Sequence, residues 1–265
     1  MLKNSKLLSM SEQEIVNFIQ QGKISVCVIG LGRIGLPTAI SFANAGINTF
    51  GIDIDIELIN KIKSYDFPLK DEPGYEFIFE NVIKDGKLKV STDLNDIVKK
   101  SDVIVLTLPT PISNENIPDY SVIRSVGKQL HDLIDEDTVI IVESTIEPGF
   151  IENTFVKILE GEDKKNVVGK DFGLGVCPET ANPGQIKNDF ERLPRLVGAL
   201  DDKTRTIITK IYNHVFPVEI IEMKDCKTAN AVKLTTNVFR DLNIAFVNEL
   251  AILFEKVGIN ISDVL

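Results

Sequence analysis

The segment "KLTTNVFRDLNIAFVNEL", residues 233–250, has the length and apolar content of a buried helix, yet it carries a stripe of polar side chains. Lys233 and Asn237 lie at positions i and i+4, so they point the same way from successive turns of a helix. An ammonium beside an amide can stabilise negative charge that develops on an oxygen. Arg240 and Asn243 extend the stripe. The alternative is a set of solvated residues on one helix face.

Further polar groups follow apolar runs that are typical of buried strands. Thr110 lies in "TLPTP", Thr145 in "ESTIEPG" and Glu179 in "CPETANPG". Because ligands of parallel sheets bind outside the carboxyl ends of the strands, we expect these groups to line one crevice. Each residue also has an alternative interpretation when it is taken alone. Thr145 could be the N-cap of a helix, and Glu179 could be an acidic residue in a surface loop.

The motif "GLGRIG" predicts a dinucleotide site. Its glycines, Gly30, Gly32 and Gly35, follow a strand and open a helix, where a tight turn, a close pyrophosphate and close packing each favour glycine. Asp53 ends the second predicted strand, and its carboxylate can accept both ribose hydroxyls. No arginine follows it, so NAD is favoured over NADP; FAD, another dinucleotide, or a glycine turn without a ligand are the alternatives. The predicted cofactor-binding residues are Gly30, Leu31, Gly32, Arg33, Ile34, Gly35, Asp53, Pro109, Thr110 and Thr145.

These groups require a scaffold in which strands and helices alternate. Short apolar runs that end in turn residues alternate with helical segments, which predicts an α/β fold with a doubly wound parallel sheet of Rossmann type. A long helical run follows, from about Asp225 to Gly258. We therefore expect a helical arm over residues 1–22, a nucleotide-binding domain over 23–222 and a central helical segment over 223–265.

Composition disfavours several classes of function. The chain has 265 residues and a net charge of −10, which argues against nucleic acid as a main partner. No apolar run is long enough to predict a membrane span. Three well-separated cysteines and two histidines predict no metal site. We expect a protein of the reducing cytoplasm.

Taken together, the motifs resemble those of the UDP-glucose/GDP-mannose dehydrogenase family. The resemblance runs from about Lys23 to the end of the sequence, and "CPETANPGQ" and "NVFRDLNIAFVNEL" are most similar to the branch that acts on UDP-N-acetylhexosamines, UDP-N-acetylmannosamine above all. UDP-N-acetylglucosamine and UDP-glucose are the alternative substrates. The motifs that carry the resemblance are "GLGRIGLPTA", "TLPTP" with "PDYSVI", "ESTIEPG", "CPETANPG", "PRLVGA" and "KLTTNVFRDLNIAFVNEL".

The resemblance implies an NAD-dependent oxidation of a sugar C6 alcohol to a carboxylate in two hydride transfers, for the synthesis of surface polysaccharides or glycans. It implies that Lys233 and Asn237 stabilise charge on the C6 oxygen and that Glu179 activates water for thioester hydrolysis. It also implies that Thr145 positions water or cofactor. Arg240 is an expected contact of the sugar, the diphosphate or a neighbouring subunit. The residues that the resemblance assigns to the substrate are Glu179, Lys233, Asn237 and Arg240.

One departure from the family pattern concerns its nucleophilic cysteine. That cysteine lies in a Gly-Gly-His-Cys segment after the central helix, and the sequence contains no such segment. Cys27 and Cys177 fall in predicted strands, and Cys226 precedes the long helix. We therefore expect a truncated form that lacks the C-terminal substrate domain and is inactive alone, or one half of a split enzyme. A non-catalytic NAD-binding or oligomerisation module is the alternative of another class.

The resemblance also implies a homodimer through the central helix. Two smaller departures are Arg33, which stands in the glycine loop where many relatives have an aromatic residue, and Asn230, which stands where the family often has glutamate. The guanidinium of Arg33 is an expected contact of the pyrophosphate. The residues expected to form the apolar stripe of the dimer are Leu234, Val238, Leu242, Phe246 and Leu250.

Overall fold

The computed structural model describes residues 6–264. The beginning of the predicted arm, residues 1–5, and the end of the predicted central segment, residue 265, lie outside the described residues. The strands are β1 Ser25–Ile29, β2 Asn48–Ile52, β3 Leu88–Ser91, β4 Val103–Leu106, β5 Thr138–Val142, β6 Phe172–Val176, β7 Arg195–Ala199 and β8 Ile220–Glu222.

Helices lie on both faces of these strands. They are α1 Glu12–Gln20, α2 Gly35–Asn44, α3 Ile56–Lys63, α4 Glu76–Lys84, α5 Leu94–Val98, α6 Ser121–Leu133, α7 Val156–Glu160, α8 Ile186–Phe190, α9 Asp202–Val215 and α10 Cys226–Lys256. A π-helical turn, Ile151–Phe155, precedes α7, and 3₁₀ turns lie at Leu7–Ser9 and Ile261–Asp263.

The strands form one sheet in the order β3-β2-β1-β4-β5-β6-β7-β8. Neighbouring strands from β3 to β6 are parallel, and the order reverses between β1 and β4, where a doubly wound sheet opens a crevice at its carboxyl edge. Strands β4, β5 and β6 are buried throughout, because helices cover both of their faces. The predicted doubly wound α/β fold is confirmed.

Strand β7 departs from the parallel arrangement because it pairs antiparallel with β6. A parallel neighbour would need a connection that crosses back over the sheet. Here the connecting segment folds on itself, and Asn182 donates to Asp189 at 2.8 Å through its backbone N–H and at 2.9 Å through its side chain. As a result, Arg195 at the start of β7 lies near the carboxyl end of β5.

Helix α1 packs with the sheet rather than apart from it. Ser11 and Glu14 form a capping box at its start, and Ile15 and Ile19 are buried in the apolar core that also contains residues of β1. The division of the chain at residues 22 and 222 stays a prediction.

Helix α10 is anchored at its beginning. Asp225 caps it by accepting a hydrogen bond from the N–H of Thr228 at 2.7 Å. Beyond Lys233 its side chains are half-buried or exposed. Within residues 6–264, no helix combines the length and apolar character needed to cross a membrane. The buried residues of α10 are Cys226, Ala229, Asn230 and Lys233.

Candidate functional site at the carboxyl edge of the sheet

The glycine loop between β1 and α2 has the geometry that a dinucleotide needs. Gly30 has a φ of +92°, which residues with a side chain rarely adopt. A Cβ atom on Gly35 would lie 1.8 Å from the carbonyl oxygen of Gly30, whereas one on Gly32 would meet nothing within 4 Å. The backbone turn between β1 and α2 therefore requires glycine at positions 30 and 35. Gly32 instead leaves open space in front of α2. In the same loop Leu31 is buried and Ile34 is half-buried.

Asp53 follows β2 and faces this loop. Its Oδ2 accepts a hydrogen bond from the backbone N–H of Leu31 at 2.7 Å, and its Oδ1 accepts from the N–H of Asp55 at 3.0 Å. The carboxylate is thus held beside the glycine loop, and its remaining lone pairs can accept ribose hydroxyls.

Arg33 makes contacts that the sequence patterns did not predict. Its guanidinium donates to Asp71 and Glu72, each at 2.8 Å. The hydrogen bond to Asp71 raises the pKa of Arg33 most, and the hydrogen bond to Glu72 raises it further. The side chain is 40% exposed, so it borders solvent at the loop while protein carboxylates hold it. Its contact with a pyrophosphate stays a prediction.

Hydroxyl groups join the carboxyl ends of β1, β4 and β5. Thr107 Oγ1 donates to the carbonyl of Gly30 at 2.7 Å, and Thr110 Oγ1 donates to the carbonyl of Thr145 at 2.7 Å. The predicted residues Thr110 and Thr145 therefore lie together, at the edge that holds the glycine loop. Pro109, next to Thr110 in the chain, is exposed. Thr107 was not among the predicted residues, although its position at the end of a buried strand is a signal that could have found it.

Glu179 lies in the segment that follows β6, residues 177–185, which we call the Glu179 loop. Its backbone N–H donates to the carbonyl of Glu143 at 3.3 Å, which ties the loop to the end of β5. Its carboxylate accepts from the backbone N–H of Ala181, and the side chain is half-buried. The loop is therefore folded against the same edge of the sheet as the threonines.

Lys233 is buried two turns into α10, with 6% of its surface exposed. Burial lowers the pKa of Lys233, the charge of Glu179 opposes this shift, and the charge of Arg240 adds to it. The ammonium and the Glu179 carboxylate are therefore electrostatic neighbours. The structure brings together two groups that the resemblance assigned to different steps of one reaction.

Arg240 connects α10 to the Glu179 loop. Its guanidinium donates to the side-chain oxygen of Asn182 and, at 3.3 Å, to Oδ1 of Asn237. In the second hydrogen bond the oxygen of the Asn237 amide is the acceptor. The joint action of Lys233 and Asn237 on a substrate oxygen and a contact of Arg240 with substrate stay predictions.

A buried ionic cluster lies behind this edge, and no sequence pattern indicated it. Glu143 Oε1 accepts from Tyr212 at 2.7 Å and lies 3.4 Å from Nη1 of Arg195. Its Oε2 accepts from Thr38 at 3.2 Å. The Arg195 guanidinium also lies 3.7 Å from the centroid of the Phe216 ring. Burial raises the pKa of Glu143, and the Arg195 charge opposes this shift. The cluster links α2, β7 and α9 to the end of β5.

The chain matches the models of two domains that occur together in one family. Residues 24–216 match the NAD binding domain of the UDP-glucose/GDP-mannose dehydrogenase family, and residues 227–265 match its central domain. The chain belongs to this family. NAD is therefore the cofactor of the glycine loop, and the open space at Gly32 and the carboxylate of Asp53 fit it.

Similar proteins within the family include dehydrogenases of nucleotide sugars. The chain is 35% identical to the UDP-N-acetyl-D-mannosamine dehydrogenase of Pyrococcus horikoshii over 89% of its own length and 55% of the relative. It is 33% identical to Protein CapL of Staphylococcus aureus over 91% of its length and 55% of that protein. A solved structure of the Pyrococcus horikoshii UDP-D-ManNAc dehydrogenase superposes with a TM-score of 0.84, at 34% identity, over 91% of this chain and 56% of that one. The chain thus spans about half the length of these relatives.

The cysteines of this family member do not form a reactive centre. Cys27, Cys177 and Cys226 are free and buried. Burial raises the pKa of each thiol, to about 12 for Cys177, where the charge of Arg195 opposes the shift. A thiol with such a pKa is protonated near neutral pH and is a poor nucleophile. Among residues 6–264, no group of three or more potential ligand side chains could hold a metal ion.

Proposed function

We propose that this chain forms the NAD-binding and central parts of an enzyme that oxidises the C6 hydroxyl of a UDP-N-acetylhexosamine to a carboxylate. The observation that supports the proposal most is that α10, in which Lys233 is buried, is joined to the Glu179 loop by the hydrogen bond from Arg240 to Asn182. This loop is tied to the edge of the sheet that holds the glycine loop. The relative from Pyrococcus horikoshii named UDP-N-acetyl-D-mannosamine dehydrogenase favours UDP-N-acetylmannosamine as substrate. UDP-N-acetylglucosamine and UDP-glucose are the alternatives.

The groups on α10 would act on the sugar alcohol. When it is bound at the glycine loop and Asp53, NAD supplies the hydride acceptor. The Lys233 ammonium and the Asn237 amide would stabilise the negative charge that develops on the C6 oxygen. Because burial lowers the pKa of Lys233, its proton is held less tightly than that of a solvated lysine, which suits a group that exchanges a proton with this oxygen. Thr145 would hold a water molecule or the cofactor at the same edge.

Glu179 would act later, when water attacks the acyl group. Its carboxylate would accept a proton from that water, and the charge of Lys233 beside it would balance its own. The thiol that carries the acyl group must come from a segment other than those of Cys27, Cys177 and Cys226, because these three are buried. We propose that such an enzyme works in the cytoplasm and supplies an aminuronic acid for surface polysaccharide or glycan synthesis.

The exposed part of α10 supports a homodimer. Of the predicted stripe, Val238, Leu242 and Phe246 are exposed, while Leu234 and Leu250 are half-buried. Contiguous apolar surface of this kind marks an interaction site. We propose a second copy of the chain as the partner. Further exposed apolar residues of α10 are Phe239, Ile244, Ile252 and Leu253.

An assay of NAD reduction tests the enzyme proposal. The chain is mixed with each UDP-sugar, alone and together with a C-terminal half of a relative that supplies the cysteine. We expect reduction in the complemented mixture with UDP-N-acetylmannosamine, and its loss with Lys233→Ala. The proposal fails if no UDP-sugar supports NAD reduction in any complemented mixture.

A second candidate, a non-catalytic NAD-binding or oligomerisation module, is favoured by the burial of all three thiols. It predicts that NAD binds with ordinary affinity and that no UDP-sugar binds or is oxidised. Calorimetric titrations with NAD and then with each UDP-sugar separate the two functions. Asp53→Ala should weaken NAD binding in both cases, and an unchanged NAD affinity would overturn the assignment of Asp53 to the ribose.

A further inference from the structure

Glu72 lies between α3 and α4, outside every motif named above, and only 1% of it is exposed. Its Oε1 accepts from Arg33 at 2.8 Å and from the backbone N–H of Gly184 at 2.7 Å. Its Oε2 accepts from the N–H of Ile186 at 3.3 Å. One buried carboxylate therefore joins its own segment to two others that are far away in the chain.

The donors to Glu72 explain why a charge can be buried there. Burying a carboxylate is costly unless hydrogen bonds replace its hydration. Arg33 supplies a charge-assisted hydrogen bond, and two backbone N–H groups supply the others. Of these donors, Arg33 belongs to the glycine loop, whereas Gly184 and Ile186 lie at the end of the Glu179 loop and directly after it.

The Glu179 loop is held at several points, and Glu72 holds its far end. The N–H of Glu179 donates to Glu143 near the beginning of the loop, and Asn182 binds Asp189 in its middle. Without the Glu72 carboxylate, the N–H groups at the end of the loop would lose the charged acceptor that fixes them. That end would then move more freely relative to β5.

We propose that Glu72 is a positioning residue that connects the glycine loop to the Glu179 loop. NAD at the glycine loop restrains Arg33, and Arg33 restrains Glu72, which restrains Gly184 and Ile186. The presence of the hydride acceptor thereby orders the loop that carries the carboxylate needed later. This inference rests on the NAD site of the proposed function and on the contact of Arg33 with the pyrophosphate.

Hydrogen exchange of the peptide 178–186, followed by mass spectrometry, tests the connection. Glu72→Gln should speed exchange in this peptide by roughly tenfold, since it removes a charged acceptor from two backbone N–H groups. Asp71→Asn is the matched control, because Asp71 also pairs with Arg33 but its side chain is 63% exposed. Among residues 6–264, its carboxylate makes no hydrogen bond to the Glu179 loop, so exchange in this variant should equal that of the wild type.

NAD provides a readout that a merely structural role would not change. Saturating NAD should slow exchange of peptide 178–186 in the wild type, and this slowing should disappear in Arg33→Met at an NAD concentration that saturates the variant. Because coupling between two events is reciprocal, an NAD molecule that stabilises the ordered Glu179 loop is itself bound more tightly when the loop is ordered. Glu72→Gln should therefore weaken NAD binding by the same factor by which NAD stabilises the ordered loop in the wild type. Arg33→Met leaves Glu72 its two backbone N–H donors, so this variant decides the question even if Glu72→Gln fails to fold.

Two results would overturn the connection. One is equal exchange of Glu72→Gln and Asp71→Asn, and the other is equal slowing by NAD in the wild type and in Arg33→Met. Calorimetry separates these from a failure of the proposed function. A wild type that does not bind NAD overturns both proposals, whereas a wild type that binds NAD without loop protection overturns only the role of Glu72.

Discussion

The Glu179 carboxylate beyond β6 lies close enough to the buried Lys233 ammonium on α10 that its charge partly offsets the effect of burial on the pKa of Lys233. The two residues belong to different matched domains of the family, the NAD binding domain and the central domain. The nucleotide-binding part and the central helix therefore contribute to one electrostatic environment.

The first prediction concerns the pKa of Lys233. Glu179→Gln should lower it further, because the opposing negative charge is lost. Arg240→Met should raise it, because a neighbouring positive charge is lost. Titration of the lysine side-chain signals by NMR measures both changes. Shifts in the same direction for the two variants would contradict the arrangement of charges around Lys233.

The second prediction concerns stability. Lys233→Met should raise the midpoint of thermal unfolding at pH 7 by about 2–4 °C, because a buried ammonium is replaced by an apolar side chain of similar shape. A lysine with a lowered pKa binds fewer protons in the folded state than in the unfolded state. The wild type should therefore gain stability as pH rises from the pKa of Lys233 in the folded state towards the ordinary lysine value of 10.5. Over this range of pH, the difference in unfolding midpoint between Lys233→Met and the wild type should narrow.

The control for this prediction is Lys227→Met, which changes an exposed lysine of the same helix. Its unfolding midpoint should stay near that of the wild type at every pH. If Lys233→Met is less stable than the wild type at pH 7, the ammonium is stabilised by its surroundings and the argument from burial fails.

The third prediction concerns the buried pair of Glu143 and Arg195. Arg195→Met should cost about 3–5 kcal/mol of the free energy of unfolding, because it leaves a buried carboxylate without its cation. Adding Glu143→Gln to that variant should recover a large part of the loss, and urea unfolding measures both. Arg205 is the control, because it pairs with Asp202 and Glu222 nearer the surface. Arg205→Met should lower the free energy of unfolding by less than about 1 kcal/mol. Equal losses for the two arginines would contradict the role of burial.

The fourth prediction separates two glycines of one motif. Gly35→Ala should destabilise the fold, because its Cβ would lie 1.8 Å from the Gly30 carbonyl and 2.4 Å from Thr107 Oγ1. Gly32→Ala should leave the fold intact, because nothing lies within 4 Å of its Cβ. It should still weaken NAD binding, since the methyl group fills the space that the pyrophosphate approaches. Thermal unfolding and calorimetric titration with NAD distinguish the two effects, and undiminished NAD binding by Gly32→Ala would place the pyrophosphate elsewhere.

The fifth prediction concerns assembly. Phe246→Glu should shift the chain from dimer to monomer, because a charge in an apolar interface is not compensated. Phe77→Glu is the control, since Phe77 is also an exposed phenylalanine but lies on α4 and not on the central helix. Light scattering after size exclusion measures the mass. A wild type that stays monomeric at high concentration would remove the basis for the dimer.

Local sequence patterns predicted the elements that hold the site. The glycine spacing places Gly30 and Gly32 between β1 and α2 and Gly35 at the first position of α2, and the polar stripe of α10 contains the buried Lys233. These features depend on short-range periodicity and turn chemistry, which a single sequence records.

Contacts between distant segments could not be predicted in this way. Arg33 pairs with Glu72, and Arg195 pairs with Glu143 because β7 runs antiparallel to β6. Neither the direction of a strand nor the partner of a buried charge is encoded in a local pattern. Asn230 is a further case, since it is buried on α10 and neither the oxygen nor the nitrogen of its amide has a partner among the described residues.

Helix α10 places the polar stripe and the exposed apolar surface on one continuous rod, in which Asn237 is followed directly by Val238. Each residue turns an α-helix by about 100°. A single residue inserted after Asn237 would rotate the whole apolar surface around the helix axis while Lys233 stayed in place. The angle between Lys233 and the exposed apolar surface is therefore set by residue count alone, and an insertion here would change that angle without altering a single side chain.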